Sequence, residues 1–401
     1  MIDDWPKGRI AHLLLLAAVY FCSTAFLMQF PRYVMQLGGT AQEAGWLLAL
    51  GLIPALLLGG PVGDWNRRHG GRWPAVFACV LVLPTHLAMI GFTEINLSFV
   101  LLRFIYSIGH SILFVTLFAQ AGLMVSHPLR RAQLIGWLSV SIQLGNALGG
   151  TLGELAYGQG MTVYWGACAA IGTLALLGAL GWRDVASVAA IASAETKNEK
   201  AMPASWPIEL WAVVAVGMAF SVLSQFLPAF IEQLRSSGEL AAPFAAAWFI
   251  TPALLVVAAV RLFAGWLGGT MLRPGVLLVC HGLLVLSLLA VPGMHSREYA
   301  VVTAIVFGLG YGWLYPALNA LAVNRATPAQ RGRIAGWLVA AFEIGFRLGP
   351  VALGIVITEF GYPTMFYSLV LGYCLLLMIA WGHGLFVQRR AARFVTETQD
   401  V

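Results

Sequence analysis

Two stretches 200 residues apart decide the fold: Arg131 to Gly149, RAQLIGWLSVSIQLGNALG, and Arg331 to Gly349, RGRIAGWLVAAFEIGFRLG. They align without a gap, with identities at Arg131/Arg331, Gly136/Gly336, Trp137/Trp337, Leu138/Leu338, Gly145/Gly345, Leu148/Leu348 and Gly149/Gly349. Pro128 and Pro328 correspond just upstream. Shared composition does not hold Trp and Arg in register over such a length, so the chain carries two copies of one larger unit.

The composition tells what each copy is. Hydrophobic residues make up 60% of the chain and charged residues 10%, with a mean hydropathy of +0.82. A soluble domain needs roughly 25% charged residues to face water, so the solvent here is lipid. A helix of ~20 apolar residues crosses the ~30 Å hydrocarbon core. That ruler predicts spans at 10–30, 43–62, 74–93, 97–121, 133–157 and 162–182, then 207–229, 243–265, 274–293, 299–323, 333–357 and 363–386. The runs are long and lack period-two alternation, which excludes a membrane barrel. The expected fold is an all-α membrane protein with twelve transmembrane helices in two six-helix pseudo-symmetric halves. The polar stretch 184–204 reads as a cytoplasmic linker between an N-terminal half, 1–183, and a C-terminal half, 205–401. Residues 10–30 lack a small-residue cleavage site and read as a retained first helix. Cys22, Cys79, Cys168, Cys280 and Cys374 all fall inside spans, as small core residues.

Of the 23 Lys and Arg, only Arg32, Arg235 and Arg297 fall on the side opposite the N-terminus, and Arg103 and Arg347 within spans. The others, Arg261 included, are assigned to the N-terminal side, which the positive-inside rule makes cytoplasmic. Both termini are then cytoplasmic, and the expected location is the plasma (bacterial inner) membrane. The net charge of +6 reflects topology rather than nucleic-acid binding.

Two parallel six-helix halves related by an axis along the membrane normal are the build of an alternating-access transporter. Over essentially its whole length the chain resembles the major facilitator superfamily, and three stretches carry the resemblance. Gly60-Pro-Val-Gly63-Asp64-Trp-Asn-Arg67-Arg68-His-Gly70-Gly71-Arg72 is similar to the family's loop between helices 2 and 3, and its Asp-x-x-Arg-Arg run is one residue shorter than the Asp-x-x-x-Arg-Arg spacing of the siderophore-exporter-like members it resembles. The resemblance implies a cytoplasmic gate of Gly60, Gly63, Asp64, Arg68 and Arg72. The acid would cap a neighbouring helix N-terminus, and the glycines would let helices approach closely. A plain basic anchor is the competing reading.

Arg103-Phe-Ile-Tyr106-Ser107-Ile-Gly109-His110 resembles the Arg-x-x-x-Gly-x-Gly motif of helix 4, with Ser107 for the first glycine. In proton-driven members this arginine is linked to proton coupling; the alternative is an arginine that snorkels to the nearby interface. Gly145-Asn146-Ala-Leu-Gly149-Gly150 resembles the Gly-Pro-x-x-Gly-Gly element of drug:proton antiporters, with Asn146 for proline; Gly349-Pro350 of helix 11 carries the pair instead. Gly145, Gly149, Gly150, Gly345, Gly349 and Pro350 form the candidate packing set; those of helix 5 are expected either to seat it on helix 8 or to act as the family's direction-of-transport signal.

Glu343-Ile-Gly-Phe-Arg347 departs most from the first half, whose matching residues are Gln143 and Ala147. Charges at i and i+4 share a helix face and can pair. Near mid-membrane an unpaired arginine costs ~3 kcal/mol or more. Two readings stand: a structural ion pair, or a substrate and proton site whose members separate when one is neutralised. Tyr106, His110, Gln225, Tyr311, Tyr315 and Asn319 lie on helices that line the cavity in the resembled family, whereas His86 and His281 read as packing groups.

The expected function is secondary active transport of a small amphipathic solute by alternating access. Proton-coupled efflux of a drug-like compound or metallophore comes first. The alternative is proton-coupled uptake of an organic acid, for which two intramembrane arginines could hold the carboxylate; a non-transporting sensor is the third reading. The motifs of metalloproteases, serine hydrolases and nucleotide-binding enzymes are missing, so no enzyme is expected. No cofactor beyond a proton gradient and no metal site are expected. The expected partners are the solute and the bilayer, with the chain acting as a monomer.

Overall fold

A computed structural model of the chain describes residues 7–125, 128–183, 208–240, 244–267, 272–325 and 330–397. The linker 184–204 lies outside the described residues. Among the described residues all regular structure is helical. The first half comprises α1 (Lys7–Gln36), α2 (Ala41–Leu57 and Gly59–His69, bent by 52°), α3 (Arg72–Gly91), α4 (Leu97–Met124), α5 (Pro128–Tyr157) and α6 (Met161–Leu180). The second comprises α7 (Glu209–Ser236), α8 (Ala247–Leu267), α9 (Pro274–Gly293) and α10 (Arg297–Arg325). It ends in the stretch Arg331–Glu397, which breaks at Gly361 into α11 (331–360) and α12 (362–397).

Among the described residues eight helical stretches are long and apolar enough to cross a membrane, nine when bent α2 counts as one. Dividing the last stretch at Gly361 makes ten; α5 and α8 complete the expected order of twelve helices but fall short of that length or hydropathy. α5 is long but less apolar, and the apolar part of α8 is short.

Local chemistry sets the helix ends in the same way in both halves. Gly38 (φ 85°) closes α1 and Gly238 (φ 80°) closes α7; Gly160 (φ 106°) precedes α6 and Gly361 (φ 79°) precedes α12. These are left-handed conformations that only glycine adopts cheaply. α2 starts on a capping box, with the Thr40 hydroxyl accepting from the Glu43 amide at 3.1 Å and the Glu43 carboxylate accepting from the Thr40 amide at 2.7 Å.

Apolar side chains gain little by leaving lipid for one another, so close backbone approach decides which helices pair. A Cβ at Gly145 would meet the carbonyl of Ala18 on α1, and one at Gly149 the carbonyl of Cys22. In the second half a Cβ at Gly345 would meet the carbonyl of Val214 on α7, and one at Gly349 the side chain of Met218. The glycines shared by the repeat thus do the same work twice. They seat α5 on α1 and α11 on α7, not α5 on α8 as expected; Gly150 alone of this set turns toward α8, facing Ile250.

The halves meet along α2–α11, α5–α8 and α1–α7. Gly45 takes the backbone of Pro350 against it, Gly354 the carbonyl of Ala41, and the Gln42 amide donates to Thr358 at 3.3 Å. Thr151 and Thr251 hydroxyls hydrogen-bond at 2.5 Å between α5 and α8. Most of these contacts lie toward the face opposite the N-terminus, here the far face. At the other, basic face, the α2 tip packs on α4 of its own half, where Asn66 donates to Thr116 at 3.1 Å and accepts from Gln120 at 3.1 Å.

Candidate functional site

Polar side chains line up along one face of α4, packed within the first half. Arg103, Tyr106, Ser107 and His110 follow i, i+3, i+4, i+7 spacing, so one face of α4 presents them all. Arg103 does not snorkel: it is 2% exposed. One Nη donates to the Ser107 hydroxyl at 3.1 Å, and the guanidinium carbon lies 5.1 Å from the Phe30 ring centre and 5.0 Å from that of Tyr106. Its Nε is buried without a partner, and among the described residues it has no carboxylate. His110 stacks on Tyr106 and on Tyr20, each at 5.9 Å between ring centres, with the Tyr20 oxygen 3.3 Å from His110 Nδ1.

From the second half, Arg347 on α11 donates through Nε to Glu343 Oε2 at 3.2 Å, and both side chains are largely buried. Arg347 reaches the first half at Gly51 of α2, where a Cβ would stand 2.6 Å from its Nη1. The expected pair therefore forms, and it forms where the two halves face each other.

Arg261 corrects the topological assignment. It lies inside α8, not in a loop on the basic side: its Nη1 donates to the Ser139 hydroxyl of α5 at 2.5 Å, and its guanidinium lies 5.7 Å from the Tyr311 ring centre. Tyr311 stacks on Phe220 at 4.7 Å and Phe307 at 5.4 Å. Tyr315 lies one turn from Asn319 and 5.0 Å between ring centres from Phe342 of α11. Gln225 is buried on α7 with its carbonyl oxygen unpartnered. Arg261, Ser139 and Tyr20 are the members that sequence reasoning missed. The one available signal was that Arg261 falls inside the 243–265 span. His86 is buried against Trp165 and Tyr106, and His281 lies 2.5 Å from the Tyr373 hydroxyl, both as packing groups.

The gate residues are apart from this cluster. Asp64 pairs with Arg67 of its own helix rather than capping a neighbour, and both side chains are about half exposed. Arg68 is exposed and Arg72 lies 5.5 Å from the Trp73 ring centre. A Cβ at Gly60 or Gly63 would meet nothing within 4 Å, so the expected close approach there is not made. The bend in α2 carries this tip away from the second half.

The far face has an ionic clamp that no motif announced. Arg32 of α1 pairs with Glu232 of α7 at 2.7 Å and with Glu154 of α5 at 3.7 Å. Gln29 donates to Glu154 at 2.6 Å, and Arg235 pairs with Glu232 at 3.3 Å.

A two-half helical fold of long apolar helices, with ion pairs joining the halves at one face and buried charge at its centre, defines an integral membrane protein. The chain belongs to the Major Facilitator Superfamily, whose sequence signature matches residues 13–302 and 246–400. It is 26% identical over 272 residues to the uncharacterized MFS-type transporter YhhS of Salmonella enteritidis PT4, covering 65% of this chain and 62% of that one. It is 25% identical over 155 residues to the multidrug resistance protein MdtH of Yersinia pestis, covering 38% of each. The fold matches the crystal structure of the nucleoside transporter NupG with a TM-score of 0.70 at 13% identity, over 93% of this chain and 99% of that one.

Proposed function

We propose that the chain is a proton-coupled secondary transporter of a small amphipathic solute, with Glu343 carrying the proton. The observation behind this reading is the Glu343–Arg347 pair at 3.2 Å, placed where the halves meet. Within the central cluster Glu343 is the one carboxylate among the described residues, and a carboxylate held by an arginine changes partner when protonated. The basic face is the cytoplasmic side of a bacterial inner membrane, with both termini and residues 184–204 on that side. The structure is then closed to the outside by the Arg32 clamp. Likeness to MdtH favours efflux of a drug-like compound. The buried arginines favour the other direction, uptake of an organic acid.

Charge removal in pairs tests the role of Glu343, using a solute selected by its stabilisation of the purified protein. If the pair is only a bridge, breaking one partner costs ~3–5 kcal/mol while removing both is close to neutral. Glu343→Gln with Arg347→Gln would then transport like the parent. On our reading every variant without the Glu343 carboxylate loses proton-driven transport, while Glu343→Gln still exchanges solute for solute. Full proton-driven transport by the double variant would refute the proposal.

A further inference from the structure

We propose that Asn66 is a positioning residue that holds the basic face open: it pins the α2 tip to Thr116 and Gln120 of α4, and the face closes only when that network parts. The proposal does not depend on Glu343 carrying a proton, and its readout is a conformational population rather than transport.

Beyond the break at Leu58, α2 runs on as the tip Gly59–His69. Val62 and Asn66 stand one turn apart and form its buried face, with Asn66 only 1% exposed. Asp64, ~200° from Asn66 around the helix axis, is about half exposed. The Asn66 side chain is saturated. Its amide nitrogen donates to the Val62 carbonyl at 2.9 Å and to the Thr116 hydroxyl at 3.1 Å, and its oxygen accepts from Gln120 at 3.1 Å. Thr116 and Gln120 are buried at i,i+4 spacing, so one face of α4 presents both. The loop after the tip closes over the same glutamine: a Cβ at Gly71 would stand 2.5 Å from Gln120 Cδ. The bond to Val62 travels with the tip, and the other two fasten it to α4.

This network cannot coexist with a straight α2. Asn66 lies eight residues past Leu58, or ~12 Å along the helix. Turning the tip about Leu58 through its 52° bend carries Asn66 by ~10 Å, and both bonds to α4 break. Contacts made in one state alone shift the population toward that state. The state they favour is the one in which Gly60 and Gly63 face open space. The second half has no counterpart. At the 200-residue offset of the repeat stand Trp266, Pro316 and Ala320, none with an amide or hydroxyl side chain.

The test uses the full chain in lipid nanodiscs, with Cys374→Ser. Spin labels at His69→Cys and Asn324→Cys report the basic face, and at Gln159→Cys and Ser236→Cys the far face; the four positions are exposed. Asn66→Ala, Thr116→Val and Gln120→Met should each enlarge the population that is close at the basic face and parted at the far face. The ratio should move by about fivefold per hydrogen bond lost, and most in Asn66→Ala, which loses both. Thr116→Val added to Asn66→Ala should change nothing further, because the two remove the same bond. Thr116→Val leaves the size of the side chain unchanged, so it carries the test should Asn66→Ala fold poorly. A brace with no part in the motion would lower Tm and leave the distances where they are. That result, a smaller closed population at the basic face, or effects of Asn66→Ala and Thr116→Val that simply add would overturn the proposal.

Discussion

Glu232→Gln should unlock the far face without unfolding the protein. The glutamate joins Arg32 of the other half at 2.7 Å, and its side chain is 43% exposed. Ion pairs this exposed are worth ~0.2–1 kcal/mol. Arg32 remains paired to Glu154 in its own half after the change, so no buried charge is stranded. The loss therefore falls on the equilibrium between conformations rather than on folding. About 1 kcal/mol moves a two-state population by about fivefold. Arg32→Gln differs: it also strips Glu154, 10% exposed, of its cation, leaving Gln29 as support. That variant should lose fold stability as well, toward the ~3–5 kcal/mol of a broken buried pair. Spin labels at Gln159→Cys on the first half and Ser236→Cys on the second, with Cys374 replaced by Ser, report separation of the far face. Glu232→Gln should enlarge the separated population with unchanged Tm, and 1 M salt should move the parent the same way, since the Debye length is then ~3 Å. If the distance distribution stays put while Tm falls, the clamp is a structural brace and the reasoning fails.

Gly51→Ala should disrupt the central pair from the other half, because its Cβ would stand 2.6 Å from Arg347 Nη1. Overpacking of this kind costs ~1–3 kcal/mol; transport should fall more than Tm does, and Glu343→Gln in the same chain should not worsen it further. Asp64→Asn should leave expression, Tm and ligand stabilisation close to the parent, since its exposed pair with Arg67 is worth at most ~1 kcal/mol. Transport should nevertheless drop strongly if Asp64 acts in the state closed at the basic face; parallel loss of folded protein would favour a structural loop. A single cysteine placed within 184–204 should resist impermeant thiol reagents in intact cells, while one at Ser236 reacts. Labelling of the linker at the rate of Ser236 would sink the twelve-span topology.

The helical membrane fold was legible because lipid imposes it residue by residue: each span must be apolar for its whole length. The doubled architecture was legible in Gly145, Gly149, Gly345 and Gly349, since only small residues permit the approaches they make. Their partners were not, because spacing along α5 says which residues share a face but not which neighbour that face meets. The Glu343–Arg347 pair is local and could be read from its i,i+4 spacing. Arg261 was misread because counting basic residues by side treats any arginine near a predicted helix end as lying outside the membrane. Arg32, Glu154 and Glu232 carry no local pattern, as they come from three helices far apart in the chain. At Gly60 and Gly63 the resemblance led to a contact that this conformation does not make.

That unmade contact bears on how the halves move. The pseudo-symmetry that equates α5 with α11 and α2 with α8 also equates the α5–α8 seam with α11–α2. The two seams are nevertheless unlike. α5 and α8 touch at Thr151–Thr251 and again at Ser139–Arg261, twelve residues further along α5, or ~18 Å at 1.5 Å per residue. α2 and α11 hold each other from Ala41 to Gly51, and then α2 bends by 52° and its tip lies on α4. A seam in contact along its length behaves as a pivot, whereas a seam in contact over one half behaves as a gate. Rocking about α5–α8 would straighten α2 and bring Gly60 and Gly63, which now face open space, toward α11, with Asp64 beside them. The same motion would draw Gly51 away from Arg347. The guanidinium that pairs with Glu343 would thus lose its seat on α2 as the basic face closes.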